Sequence, residues 1–103
     1  MHFQVPPSTR EFSSYLVQGV LAHMDELDRV IAASSEHWRV GRMAKVDLNI
    51  IRVGAFELLH CPETPKNVSI NEAIELAKSF AGEESGIFVN GVLDQVASVT
   101  EAE

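Results

Sequence analysis

Four histidines, one cysteine, two adjacent glutamates and a short run of cations are the groups in this chain that could do chemistry. Of His2, His23, His37 and His60, no pair stands four residues apart on one helix. None is accompanied by the glutamate that zinc hydrolases require, so no metal is expected. Glu83 and Glu84 are neighbours, but adjacent helix positions point about 100° apart. Carboxylates also gather at helix starts for dipole reasons alone, which outweighs an acid–base role. Cys61 precedes Pro62 at the end of a helical pattern and reads as an incidental thiol. As the single cysteine it cannot form an internal disulfide, which fits a reducing compartment. No GxxxxGK loop and no GxGxxG turn after a strand is present to cradle a nucleotide, and no cofactor is expected. Arg39, Arg42, Lys45 and Arg52 form the one local excess of positive charge. They suit phosphates or an acidic partner, and a solvated face balancing an acidic chain accounts for them as well. Trp38 beside them is either a core residue or an interface anchor.

The elements that must position these groups are helical. Pro6 and Pro7 followed by Ser8 and Glu11 predict a helix start with Ser8 as the cap. Phe12, Leu16, Val20, Met24, Leu27 and Ile31 recur at three- and four-residue steps, which predicts one long helix to Ala33, closed by Ser34 and Ser35. A short, mixed turn of helix is expected over 36–44, with Trp38, Val40 and Met43 as its apolar anchors. Val46, Ile50, Val53 or Gly54, and Leu58, widened by Ile51, Ala55 and Leu59, predict a largely buried helix that stops near His60 because Pro62 follows. Ser69 and Glu72 repeat the capping logic of Ser8, and Ile70, Ala73, Ile74, Ala77 and Phe80 share a face until Gly82 ends that helix. Glu83 and Glu84 open a last helix striped by Phe88, Val92, Val96 and Val99, joined by Ile87, Val89 and Leu93. Gly91 in its middle is read as a point of close helix approach. No segment alternates with period two, so the fold class is all-α.

At 103 residues, 46% hydrophobic and 22% charged, the chain is an ordinary globular sequence of one domain or less. Its net charge of −7 opposes non-specific binding to a polyanion. No apolar run reaches the ~18–20 residues that cross a bilayer, and the opening MHFQVPPSTREF lacks both parts of a secretory signal, so a cytoplasmic location and no membrane partner are expected.

The stretches VDLNIIRVGAFELL (46–59), INEAIELAKSF (70–80) and FVNGVLD (88–94) resemble the hallmark segments of the NusB family in order, spacing and register. Residues 12–31, containing LVQGVLAHMDELD, resemble the helix that precedes them in that family. The resemblance implies a NusB-like helical bundle, about five helices here, and no enzyme activity. It also implies binding to the boxA element of ribosomal RNA leaders together with a small-subunit ribosomal protein, NusE, within the RNA polymerase antitermination complex.

Carried over position by position, the resemblance places Asp47 near the RNA, where a carboxylate can accept from base amines. Glu84 stands at a position that is usually aspartate, and Phe88 matches an aromatic that can stack on an unpaired base. Ile87 departs from a position that is basic in some members. The implied surface for the ribosomal protein is 38–52, with Trp38, Arg39, Arg42, Lys45 and Arg52. The expected layout is an N-terminal extension over 1–8, a partial NusB-like domain over 9–99 and an acidic tail over 100–103. Family members open with two helices, the first arginine-rich, which are not found here, so a truncated chain with weak RNA binding on its own and self-association through exposed apolar surface is expected. Two other readings are a protein-only scaffold, favoured by the charge, and the NusB-like accessory domain of a ribosomal RNA cytosine methyltransferase.

Overall fold

A computed structural model describes residues 7–34 and 43–101, with side chains over 14–34 and 43–100. Among them are five helices and no strand: α1 (Pro7–Ala22), α2 (Met24–Ser34), α3 (Lys45–His60), α4 (Lys66–Ala81) and α5 (Glu83–Glu101). The all-α expectation holds. The short helix expected over 36–44 falls mostly outside the described residues, together with Trp38, Arg39 and Arg42.

The long helix expected to Ala33 is two helices. Its backbone ladder reaches His23, whose amide is shared between the carbonyls of Gly19 and Val20 at 3.1 and 3.2 Å, breaks over the next three amides, and resumes with Leu27 donating to His23 at 2.9 Å. Asp25 and Glu26 then occupy the first turn of α2, where carboxylates complement the helix dipole. The apolar stripe runs through the break without a proline or glycine to mark it. At the far end Ser34 closes α2, its hydroxyl donating to the Val30 carbonyl at 2.8 Å. At the near end Pro7 already lies in α1, so Ser8 sits inside the first turn and is not the cap.

Helix α3 is the hub, packing against each of the other four helices. Leu48, Ile50, Ile51, Ala55 and Phe56 are buried in it, whereas Val46, expected on the same stripe, is exposed. Gly54 lets α5 come close: a Cβ there would lie 2.7 Å from the Leu93 side chain. The helix stops at Cys61, whose amide caps the Glu57 carbonyl at 3.0 Å while its thiol is buried.

Helix α4 starts three residues before the expected cap. Pro65 is its N-cap, and the Pro65 carbonyl accepts from Val68 and Ser69 at 3.0 and 3.2 Å. The Ser69 amide is thereby already bonded, and its side chain turns into the core. Gly82, at φ 97°, ends α4 as expected, in a conformation that disfavours other residues. Helix α5 packs back along α4 and buries Val89, Val92, Leu93 and Val96. Each such side chain contributes roughly 1.5–3 kcal/mol of burial. Phe80 and Ile87, predicted on buried stripes, are instead 73% and 70% exposed. A Cβ on Gly91 would meet nothing within 4 Å, so this glycine serves no close approach. Helix α5 also runs to Glu101, into the segment expected as a tail.

Candidate nucleic-acid and partner interface

The residues assigned to RNA lie on two helices that pack together, α3 and α5. Glu84 and Phe88 are one turn apart on α5 and therefore share a face. Glu84 is exposed, and Phe88 is half-buried with part of its ring packed against the core. Ile87 stands beside them, largely exposed. Asp47 lies in the first turn of α3, where the dipole favours its charge, and its Oδ1 is buried without a hydrogen-bond partner among the described residues. A buried carboxylate oxygen left unpaired is costly, and a donor arriving from outside would relieve that cost.

The residues assigned to a protein partner divide. Lys45 is exposed at the start of α3. Arg52 is committed within the fold: Nε and Nη2 donate to the two Asp28 carboxylate oxygens at 2.8 and 2.9 Å, and Nη1 donates to Asn49 Oδ1 at 3.1 Å. Such a two-pronged pair fixes direction as well as distance, so Arg52 ties α2 to α3.

A third grouping escaped the sequence reading. His23 from the α1–α2 break, Glu26 from the first turn of α2 and His60 from the last turn of α3 meet at one place. His60 Nε2 lies 2.7 Å from Glu26 Oε1, His23 Nδ1 lies 3.6 Å from the same oxygen, and the two imidazole rings stack with centroids 4.4 Å apart. The hydrogen bond from His60 is the main cause that holds the Glu26 carboxyl below its ordinary pKa. Only the Asp25-Glu26 pair, a helix-start signal, could have shown that His23 lies at a break. Nothing in the spacing pointed to His60.

Inside the bundle, Glu57 is buried between α3 and α4, and burial pushes its pKa up. The Glu72 charge adds to that shift, while the Ser69 hydroxyl nearby pulls the other way. Glu57, Ser69 and Glu72 line a groove of about 200 Å³ together with Leu16, Ile50 and Leu76.

Among the described residues the chain is an all-helical bundle whose residues of interest stand on helix faces. This chain belongs to the NusB family, whose family model matches residues 2–98. The transcription antitermination protein NusB of Geobacter sp. (strain M21) is 54% identical to it over 93 residues, covering 89% of this chain and 64% of that protein. NusB of Myxococcus xanthus is 50% identical over 91 residues, covering 88% of this chain and 65% of that protein. The chain thus spans under two thirds of the length of these relatives. Among solved structures, NusB of T. maritima superposes with a TM-score of 0.84 at 35% identity, over 90% of this chain and 66% of that one. A crystal structure of the antitermination factors NusB and NusE in complex with dsRNA superposes with a TM-score of 0.83 at 27% identity, over 93% of this chain and 70% of that one. Family membership agrees with the expectation of no enzyme activity.

Proposed function

We propose that this chain acts in transcription antitermination, binding a boxA-type ribosomal RNA leader jointly with the small-subunit ribosomal protein NusE in the RNA polymerase antitermination complex. The observation that carries the reading is the close superposition on a protein solved with both NusE and dsRNA, joined to 54% identity with a NusB relative. Phe88 and Glu84 on α5 and Asp47 on α3 form the RNA edge. Segment 38–52, with Lys45 exposed and Arg52 bracing it, forms the ribosomal-protein surface. With a net charge of −7, the chain alone binds RNA weakly, and the partner supplies the missing cations.

The same charge favours a second reading, a scaffold that binds protein only. Titrating labelled boxA RNA with and without NusE separates the two. Antitermination binding predicts RNA affinity that appears or rises strongly when NusE is present. Phe88→Leu, which keeps the packing but removes the aromatic face, then weakens that complex by the ~1–3 kcal/mol of a stacked base, with circular dichroism as the folding control. NusE binding without RNA binding, even in the ternary mixture, leaves the scaffold reading. Micromolar RNA binding at physiological salt without NusE overturns the account of the charge.

A further inference from the structure

We propose that His23, Glu26 and His60 form a binding site for a divalent transition-metal ion of the zinc type, at the junction of α1, α2 and α3. Two imidazoles and a carboxylate are the donor set such ions select, and three protein donors leave a fourth position for water. The three donor atoms, one from each residue, all lie within 4.8 Å of one another. Around a tetrahedral ion with bonds of ~2.0–2.1 Å the donors stand about 3.3 Å apart. The His23–Glu26 separation of 3.6 Å is close to that value, and the 2.7 Å His60–Glu26 hydrogen bond opens to it when a metal replaces the shared proton, while the two rings, stacked with planes 27° apart, turn so that both nitrogens aim at the ion. That exchange requires His60 Nε2 to be free of its proton, which in a neutral imidazole moves to Nδ1, so metal uptake releases a proton only where an imidazole is cationic or the carboxyl protonated.

The surroundings suit a cation. His60 ends α3 and His23 directly follows α1, so the negative ends of two helix dipoles reach the site, offset in part by the positive start of α2 that carries Glu26. The side chains of His23, Glu26 and His60 are 41%, 45% and 30% exposed, which gives an ion a path from solvent. His60 also packs on Phe56, with ring centroids 5.1 Å apart, which orients its ring from behind. The Arg29 charge near Glu26 opposes the ion and limits affinity.

The test is titration of Zn2+ into the untagged chain by isothermal calorimetry, with Co2+ absorption reporting coordination. One ion per chain is expected, with His23→Gln, Glu26→Gln and His60→Gln each weakening binding by at least about tenfold. Circular dichroism checks each variant, and zinc-induced shifts of the His23 and His60 ring resonances in the unaltered chain give a readout independent of any variant. Absence of saturable binding at micromolar Zn2+ overturns the proposal. So does binding that persists unchanged in a His23→Gln, His60→Gln double variant, since it would place the ion on His2 or His37.

Discussion

Glu57 shows how one side chain can tie stability to pH in a direction opposite to most carboxylates. Its folded pKa is raised by burial and by the Glu72 charge, so the fold favours the protonated form. Its contribution is therefore greatest below the unfolded pKa, roughly 4.3 for a glutamate, and is lost as pH rises through the raised folded value. Glu57→Gln removes that dependence. Thermal melts from pH 4 to pH 7 should show the variant gaining on the parent as pH rises, and a constant difference across the range rules the explanation out. Glu26 works with the other sign: its carboxyl is held low by His60, so its contribution is present above the unfolded pKa and lost as pH falls through the folded one. Subtracting variant from parent isolates Glu57 from this opposing background.

Among the elements, two glycines on facing helices make opposite demands. Gly54 on α3 admits Leu93 of α5, and alanine there drives a methyl to 2.7 Å from that side chain. Overpacking of this kind costs about 1–3 kcal/mol. Gly91 on α5 has open space around it, so alanine should stabilise by up to about 1 kcal/mol through helix propensity alone. Denaturant unfolding of Gly54→Ala and Gly91→Ala should move the midpoint in opposite directions, and a common direction would contradict this packing. The element pattern itself was legible wherever chemistry marks an end: Pro62 after α3, Gly82 after α4, Glu83 and Glu84 opening α5. It misled where a signal had a competitor. Ser69 carries a capping pattern, but Pro65 starts the helix first. Phe80 and Ile87 sit in periodic stripes, yet each falls on the side of its helix that no described neighbour covers. The candidate site was legible only as positions on a familiar motif. The Arg52–Asp28 pair and the His60–Glu26 contact join residues far apart in sequence, and single-chain spacing carries no record of which helix faces which.

At the scale of the whole molecule, acidity and apolar exposure oppose each other. Val17 and Leu21, one turn apart on α1, are 58% and 68% exposed. Such a face favours association of copies, while the charge of −7 repels them. Sedimentation should therefore give a mass that rises with protein concentration and rises further with added salt, which screens the repulsion. Leu21→Glu should suppress the effect, and a monomer mass independent of both concentration and salt excludes it. The interruption at His23 carries a different implication. None of the described α1 side chains is fully buried, whereas the buried core among the described residues comes from α2 to α5 and Cys61. Helix α1 thus lies as an arm on the block of α2 to α5, held by Leu16, Val20, the Tyr15–Phe56 ring contact and the close approach of Gly19 to the Phe56 ring. Its amides should exchange with deuterium through a local opening while those at the centre of α5 wait for global unfolding, and equal protection of the two would mean that the arm and the block open together.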